Sequence, residues 1–559
     1  MGPKQKKGKG KKKTVSAPIL TSPKSYMTQD NRPGIRSIAI IGSGAAGLTT
    51  LFELLHTKKD GSTTISYNAN GELDTSKLHN TNPAFTKIVS FEQKSTVGGI
   101  WSPSFDTPDV VPQQAFDTEK YDDPFTLKPK TTVPADLADG KHTFEDPLLT
   151  DTEGSQKTPS WSNSGIYPDL YSNVPRRYLR TSFIPYNDKT DRPAKTHIDP
   201  LITNSEITEE LLDFVKRFEL EKYVRLDSEI VDVSKPHEAS KWTITVKQVP
   251  AAGGRARWYT EEFDAVVVST GHYSVPYVPR LKGLSSWNAQ FGSSAFHSKS
   301  FRDPQIFQDK KCLFVGTGLS GIDILQYAFP IAKEVIVSRS TGKQEIFEWL
   351  TKAATSEGIT VKPRVKELQP DNNRKVVFED GTSVDSVDYI IFSTGYHWHY
   401  PFLSPENTGV SVTSGEEGAA PNGSSMVDGL YLNTFSVNDP SLAFVGVTLT
   451  SFKWPSFEAT ASAIAGVWSG SAALPPKSKQ LEQIEARLEK TGKNALFHYY
   501  KPEIFSEYIG KIAGYLPKGR SADNIFDTTH LDEVKRSFAV AERLFYQLKN
   551  GEISVSDTV

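Results

Sequence analysis

The sequence predicts an α/β fold that contains two Rossmann-like dinucleotide-binding domains, one of them inserted into the other. Two glycine fingerprints carry this prediction, at residues 42–47 (GSGAAG) and 316–321 (GTGLSG), and each follows a short apolar run and precedes a helix-like stretch. In such a turn the first glycine permits the tight bend, the second lets the backbone approach a pyrophosphate, and the third lets the helix pack on the strand. Two fingerprints therefore predict two dinucleotides.

The first fingerprint lies between a strand and a helix. Residues 37–41 (SIAII) read as a buried parallel strand, and residues 45–55 read as a helix with apolar residues at helical spacing. The next strand, 87–91, ends in Glu92, where an acid that accepts hydrogen bonds from a ribose is expected. A polar insertion at 58–85 makes the spacing longer than the usual about 20 residues. The alternative is that Glu92 is an ordinary exposed carboxylate. The residues expected at this site are Gly42, Ser43, Gly44, Ala45, Ala46, Gly47 and Glu92.

The second fingerprint has a different strand end beside it. Its strand is 311–315, its helix 320–329, and the next strand, 334–337, is followed by Ser338 and Arg339. A carboxylate at this place would repel a 2′-phosphate, whereas an arginine binds it with a bidentate pair. We therefore interpret the second dinucleotide as NADPH and the first as FAD; the alternative is that Arg339 is a solvated charge. The residues expected at this site are Gly316, Gly318, Ser320, Gly321, Ile322, Asp323, Ser338 and Arg339.

Several further motifs occur in a fixed order between residues 36 and 470. They are GGIW at 98–101, YSNVP at 171–175, STGHY at 269–273, HSKSFR at 297–302, FSTGY at 392–396 and the segment 455–461 with Glu458. Together with the two fingerprints, this ordered set resembles the flavin-containing monooxygenases, especially the soluble fungal type.

The resemblance implies a function and further cofactor contacts. In that family NADPH reduces FAD, the reduced flavin reacts with O2 to give a C4a-hydroperoxyflavin, and a soft nucleophile takes one oxygen atom. Asn173 matches the family's flavin-side asparagine. We expect its amide to position and stabilise the peroxide or the nicotinamide by hydrogen bonding, rather than to act as an acid or a base. The alternative is that Asn173 is a turn residue before Pro175. The additional cofactor-binding residues expected are Ile100, Trp101, Ser172, Asn173, Val174, Ile230 and Glu458.

One motif departs from the family pattern. The family carries Phe-x-Gly-x-x-x-His, and alignment on Phe291 and His297 places Ser293 where the glycine belongs, with Gly292 one position early. Phe301, four positions after His297, stands where the related Baeyer-Villiger enzymes carry Trp, which favours the flavin-containing monooxygenases. We expect a structural role for His297; the alternative is direct proton transfer.

Charge and cysteine content exclude several classes of protein. The net charge is −2, so no overall field favours a nucleic-acid partner, although seven lysines lie within the first thirteen residues. We expect that tail to be a disordered arm; the alternatives are a nuclear or ribosomal address or contact with an anionic surface. Cys312 is the single cysteine, which excludes dithiol reductase chemistry and fits a small buried residue. No metal site is expected, because His397 and His399 have no cysteine or acidic cluster at ligand spacing.

No segment is apolar over the roughly 18 residues that a membrane-spanning helix needs, and we expect a cytoplasmic protein. Two strands that end in Ser-Thr-Gly, at 269–271 and 393–395, mark the crossings between domains in the resembling family. The predicted domains are a basic tail (1–35), the first part of the FAD domain (36–272) with a long loop or lid at 102–160, the NADPH domain (273–394), the second part of the FAD domain with a helical cover (395–550), and a polar tail (551–559).

The function expected is an NADPH- and FAD-dependent monooxygenase that acts on a nucleophilic sulfur or nitrogen of a thiol, sulfide or amine. The alternatives are a Baeyer-Villiger or N-hydroxylating relative and, from another class, a non-catalytic flavin-binding interaction protein. The sequence is compatible with a homo-oligomer, and it does not name the substrate.

Overall fold

Each glycine fingerprint follows an inner strand of its own largely parallel sheet. The computed structural model describes residues 34–103, 105, 108–137, 141–151, 161–184, 198–236, 241–250, 254–342, 345, 347–414 and 423–553, so the predicted basic tail and most of the polar C-terminal tail lie outside the described residues. In the first sheet, Ser37–Ile41 pairs in parallel with Lys87–Phe91 on one side and with Ala265–Val268 on the other. The order of strands is Leu430–Tyr431, Phe435–Ser436, Leu442–Phe444, Ala265–Val268, Ser37–Ile41, Lys87–Phe91 and Val224–Arg225.

The second sheet has five described strands, all parallel. Lys311–Val315, the strand before the second fingerprint, lies between Glu334–Ser338 and Tyr389–Phe392. The order of strands is Ile359–Lys362, Glu334–Ser338, Lys311–Val315, Tyr389–Phe392 and Ala295–His297. Apolar side chains fill these strands, as expected for parallel strands that are covered on both faces.

The chain forms strands of the first sheet, then all described strands of the second sheet, and then further strands of the first sheet. Leu442–Phe444 follows every strand of the second sheet in sequence, yet it pairs in parallel with Ala265–Val268 of the first. The predicted fold class, with one dinucleotide-binding unit inserted into a discontinuous one, is therefore confirmed. The residue bounds proposed for the domains stay predictions.

Three smaller antiparallel sheets flank the two parallel ones. The first has the order Leu148–Thr150, Ala256–Phe263, Trp242–Gln248 and Ser228–Ser234. The second contains Val365–Gln369, Lys375–Phe378 and Ser383–Val384, and the third contains Ser411–Thr413 and Met426–Asp428.

Helices cover the sheets, and the C-terminal part of the chain contains the helices Lys477–Thr491 and Asp532–Lys549. The last one, Asp532–Lys549, buries Leu544 and Phe545 in the same apolar cluster as Ile322 and Leu325 of the helix after the second fingerprint. It therefore packs on the second dinucleotide-binding unit, although the prediction grouped it with the first. The α-helices are Ala45–Leu55, Gln113–Asp117, Pro124–Leu127, Asn204–Arg217, Leu284–Phe291, Leu319–Ala328, Glu348–Ala354, Pro405–Thr408, Lys453–Trp468, Lys477–Thr491, Phe505–Ala513, Ala522–Ile525 and Asp532–Lys549.

The segment 102–160 is not a plain loop over its described residues. It contains the helices Gln113–Asp117 and Pro124–Leu127, and Phe116 and Tyr121 are buried in the apolar cluster beneath the second sheet. Helices of four or five residues are shorter than the window over which helical periodicity is visible in a sequence. The segment predicted as a long loop or lid therefore contains short helices that the prediction did not include.

Candidate functional site

The first fingerprint forms a turn in which two glycines have no room for a side chain. Gly42 has φ +98°, and a Cβ atom there would lie 2.8 Å from the carbonyl oxygen of Ser269. A Cβ atom on Gly47 would lie 1.9 Å from the carbonyl oxygen of Gly42. The Ser269 hydroxyl donates to the carbonyls of Ile41 and Gly42, so the Ser-Thr-Gly strand end holds this turn in place.

The segment at 98–101 crosses the fingerprint. Gly44 and Gly98 form a parallel bridge, and a Cβ atom on Gly99 would lie 2.9 Å from the Cα atom of Gly44. Ile100 and Trp101, both half-buried, follow in the 3-10 turn Gly99–Trp101. The helix Ala45–Leu55 has Gly44 as its N-cap residue, and it has neither a side-chain cap nor an acid in its first turn. This backbone cradle at a helix N-terminus fits the pyrophosphate of a dinucleotide.

Glu92 lies against the same turn rather than in solvent. Its side chain is buried, Oε2 accepts the Ser43 backbone N–H at 2.8 Å, and Oε1 accepts the Lys94 backbone N–H at 3.0 Å. Burial raises the pKa of the carboxyl group, and the two N–H donors act in the opposite direction. Each carboxylate oxygen keeps a second lone pair for a hydroxyl donor, so the geometry fits a ribose contact. The alternative of an exposed carboxylate is wrong.

The second fingerprint repeats the first in its backbone requirements. A Cβ atom on Gly316, where φ is +97°, would lie 2.6 Å from the carbonyl oxygen of Ser393, and one on Gly321 would lie 2.6 Å from that of Gly316. A Cβ atom on Gly318 would meet nothing within 4 Å. The second glycine therefore faces open space. A backbone that is to approach a pyrophosphate needs such space at this position.

Basic residues from two adjacent strands lie near the strand end beyond the second fingerprint, although the Lys362 ammonium itself donates to the Thr382 hydroxyl at 3.2 Å. Ser338 is paired in register with Lys362, and the Arg339 backbone N–H donates to the Lys362 carbonyl at 3.0 Å. The Arg364 guanidinium donates to the Ser340 hydroxyl at 2.8 Å, which brings it to the same strand end. Sequence reasoning found Arg339 but missed Lys362 and Arg364, because they follow a different strand.

The residues predicted to bind cofactor on the helix after the second fingerprint differ in their surroundings. Ser320 is exposed in the first turn, where a phosphate could reach it, whereas Ile322 is buried in the core. Asp323 accepts from the Tyr167 hydroxyl and, at 3.0 Å, from the Gln326 amide. Burial raises the pKa of Asp323 to about 7. Ile322 and Asp323 thus contact protein, and their cofactor contacts stay predictions.

Asn173 projects from a segment that is otherwise fixed. The Ser172 backbone N–H donates to the Ile202 carbonyl at 2.8 Å, and the Ile202 N–H donates to the Ser172 hydroxyl at 3.0 Å. That hydroxyl in turn donates to the Val174 carbonyl at 2.8 Å. Ser172 and Val174 are buried, whereas Asn173 is exposed and makes no hydrogen bond with another described residue. Its amide is therefore available for a ligand, which fits the predicted role.

Glu458 and Ile230 lie inside the protein. Glu458 is fully buried, pairs with Arg520, and accepts the Ser182 backbone N–H at 2.7 Å; Arg520 also binds the buried Glu53 at 2.9 Å. Burial raises the pKa of Glu458 and Arg520 lowers it. Ile230, 7% exposed, belongs to the apolar cluster behind the first sheet. The described contacts of both residues are structural, and their predicted cofactor contacts are untested.

In the degenerate motif the displaced glycine, and not Ser293, has the positive φ angle. Gly292 ends the helix Leu284–Phe291 with φ +54°, and Ser293 takes an ordinary φ of −71°. His297 accepts the Lys299 backbone N–H at Nδ1 (3.1 Å), so its proton is on Nε2, which donates to the Gly395 carbonyl at 2.9 Å. Burial lowers the pKa of His297 to about 3. The neutral ring therefore links the end of the strand Ala295–His297 to Gly395, in the second of the two Ser-Thr-Gly segments. This contact supports the structural role.

Other chemistry has little support in the described part of the chain. Cys312 is fully buried, and burial raises the pKa of its thiol to about 12, which confirms the expected core residue. Among the described residues, no group of three or more His, Cys, Asp or Glu side chains is placed to hold a metal ion. No described helix combines the length and the apolar character that crossing a membrane requires.

Comparisons with known proteins place the chain among flavoproteins. The flavin-containing monooxygenase FMO GS-OX-like 2 of Arabidopsis thaliana is 26% identical over 478 residues, 84% of this chain and 82% of that protein. Flavin-containing monooxygenase iboF of Amanita muscaria is 30% identical over 299 residues, 49% of this chain and 55% of that protein.

Solved structures share the fold. S-allyl-L-cysteine S-oxygenase from Allium sativum superposes with a TM-score of 0.61 at 24% identity, covering 92% of this chain and 98% of that one. Tmm from Pelagibacter sp. strain HTCC7211 gives a TM-score of 0.56 at 18% identity, covering 91% of this chain and 90% of that one. The sequence model of the flavin-binding monooxygenase-like family matches residues 185–358 and 348–518, which is over half of the chain. With two dinucleotide turns of the required geometry, the protein belongs to this family and is an FAD- and NADPH-dependent monooxygenase of the flavin-containing type.

Proposed function

We propose that this enzyme transfers one oxygen atom of O2 to a soft nucleophilic sulfur or nitrogen of a small molecule, such as a thiol, sulfide or amine. When bound, FAD supplies the activation of oxygen and NADPH supplies the reducing equivalents. The chain's own residues then have to bind the two cofactors, orient them and the substrate, and avoid supplying stray protons.

The observation that carries the proposal is the position of Asn173. Its segment is held by Ser172 and Val174, while the Asn173 amide itself is exposed and unused by other described residues. A carboxamide donates and accepts hydrogen bonds but is neither an acid nor a base near neutral pH. In our proposal Asn173 orients the reacting groups without providing a proton.

The two turns would set the cofactors in place. Gly44 and Gly99 present backbone to the FAD pyrophosphate, and Glu92 accepts from the adenosine ribose. Gly318 leaves space for the NADPH pyrophosphate, and Arg339 binds the 2′-phosphate. These assignments rest on the backbone geometry and on the residue types at the strand ends.

Sulfur is our first choice of reacting atom. One structural neighbour is an S-allyl-L-cysteine S-oxygenase, and the likeness to it shows a shared fold; the transfer of that chemistry to this chain is part of the proposal. A cytoplasmic location and a homo-oligomeric state stay predictions from the sequence.

The test is a substrate panel of thiols, sulfides, tertiary amines and cyclic ketones, with NADPH consumption, product and hydrogen peroxide measured together. We expect close to one product per NADPH for at least one sulfur or nitrogen compound. Coupled conversion of cyclic ketones alone would instead support a Baeyer-Villiger enzyme. Peroxide as the sole product with every compound would contradict oxygen transfer and support the non-catalytic alternative.

A further inference from the structure

A cavity of about 240 Å³ lies between the segment 110–116 and the second sheet. Val110, Val111 and Phe116 form one wall, and Phe296 and Phe392, on neighbouring strands of the sheet, form the other. The described residues that line the cavity include neither Asn173 nor any residue assigned above to dinucleotide binding. The described lining of the cavity is therefore different from the residues of the two cofactor turns.

Apart from the exposed Ser293, the polar side chains among the described lining residues are already paired with protein. The Asn288 amide donates to Gln113 Oε1 at 2.6 Å, the Trp161 indole N–H donates to the Leu127 carbonyl at 2.8 Å, and both nitrogens of His297 are used as described above. No Asp, Glu, Lys or Arg is among the described lining residues, and the low pKa of His297 keeps its ring neutral. The cavity consequently offers apolar contact rather than a charge.

Solvent reaches the cavity at one side. Val110 is 52% exposed, and Gly292 and Ser293, at the displaced glycine of the degenerate motif, are exposed as well. A dry apolar cavity of about 150 Å³ is known to hold benzene, whereas pockets for drug-sized ligands start at about 300 Å³. The present cavity lies between these sizes, so one ring with a short substituent would fill it.

We propose that this cavity binds a small, uncharged apolar molecule with a single ring, at a place distinct from both cofactor sites. The ligand would bridge the segment that carries Val111 and the sheet that carries Phe296. The inference is independent of the substrate proposed above, because it rests only on the shape and chemistry of the cavity.

Binding is tested on the full chain loaded with FAD, with 4-fluorotoluene as the probe and fluorine NMR as the readout. This probe contains no nucleophilic sulfur or nitrogen, so binding is not confused with turnover. We expect a saturable shift or broadening of its signal, and at least tenfold weaker binding of 4-fluorobenzoate, because a carboxylate would lose its hydration without gaining a partner. No saturable effect of 4-fluorotoluene up to its solubility limit, or equal binding of the two probes, would overturn the proposal.

Two variants locate the site. Val111→Asp places a charge in the wall, and Ser293→Trp fills the exposed side; we expect each to weaken 4-fluorotoluene binding at least tenfold. The matched control is Val361→Asp, which places the same charge on an exposed strand, and we expect unchanged binding. Flavin content and circular dichroism identify folded variants, and Ser293→Trp decides the question if Val111→Asp does not fold. Wild-type binding by folded Ser293→Trp, or displacement of the probe by saturating NADP⁺, would contradict a separate site.

Discussion

The Tyr171 hydroxyl donates to Gln326 Oε1 at 3.1 Å and joins the segment that carries Asn173 to the helix after the second fingerprint. A second contact runs in parallel, from the Tyr167 hydroxyl to Asp323 of the same helix. Both tyrosines are buried, so water does not compete with these hydrogen bonds. Asn173 is therefore held in a defined position relative to the turn that we assign to NADPH.

Replacing Asn173 by Asp tests its role in oxygen transfer. The change keeps the volume, removes the N–H donor and adds a negative charge beside the reacting groups. We expect the variant to bind FAD and to oxidise NADPH, but to release hydrogen peroxide in place of most of the oxygenated product. The measurement is the ratio of product to NADPH consumed, with peroxide determined in parallel.

The control for this prediction is Asn70→Asp, the same change at an exposed residue of the polar insertion. We expect wild-type coupling in that variant. Full coupling in Asn173→Asp would show that the oxygen chemistry depends on another residue.

Asp323 gives the protein a pH-dependent stability. Its folded pKa of about 7 is raised above the usual value of 3.8, so the folded state binds a proton that the unfolded state has lost. Its contribution to stability is therefore complete below about pH 4 and is lost as the pH rises towards 7. In urea unfolding, we expect the wild type to lose roughly 2 kcal/mol more between pH 5 and pH 7 than Asp323→Asn does.

Asp388→Asn is the control for this titration, because Asp388 is a part-buried carboxylate that is already paired with Arg374. We expect that variant to keep the additional loss of stability between pH 5 and pH 7 that Asp323→Asn lacks. An identical pH dependence in the wild type and Asp323→Asn would show that Asp323 does not take up a proton on folding.

The second and third glycines of the NADPH fingerprint should respond differently to alanine. A Cβ atom on Gly318 meets no protein atom, so Gly318→Ala should fold normally but weaken NADPH binding by about tenfold or more, because the methyl group enters the space of the nucleotide. Gly321→Ala places a methyl group 2.6 Å from the Gly316 carbonyl and should reduce the free energy of unfolding by roughly 1 to 3 kcal/mol. Thermal unfolding and NADPH titration separate the two effects, and normal NADPH affinity in Gly318→Ala would contradict the assigned site.

The sequence predicted the features whose requirements are local. Gly42 and Gly316 need positive φ, and Glu92 follows the strand next to the fingerprint strand, so a short window contains the whole signal. The same reasoning did not find Lys362 and Arg364, because their position beside Arg339 depends on which strands become neighbours.

The sequence also did not predict which polar residues are buried by contacts with distant segments of the chain. Asp323 occurs within the pattern of a nucleotide-binding helix, yet its partner Tyr167 is more than a hundred residues away in the chain. Glu458, in the helix Lys453–Trp468, likewise forms its ion pair with Arg520, which lies just before the helix Ala522–Ile525 and which only tertiary packing brings there. Such residues show their role only when the partners are known.

The last prediction concerns the choice of coenzyme. Arg339 and Arg364 end adjacent parallel strands, where two guanidinium groups would bind a 2′-phosphate that NADH lacks. Loss of a charge-assisted contact of roughly 1.5 to 3 kcal/mol should weaken NADPH by about ten- to a hundredfold in Arg339→Ala. Arg364→Ala should have a smaller effect in the same direction, and NADH binding should change little in either variant. Arg255→Ala, which removes an exposed arginine just before the strand Ala256–Phe263 of a different sheet, is the control. Equal use of NADPH and NADH by the wild type would show that this cluster does not recognise the 2′-phosphate.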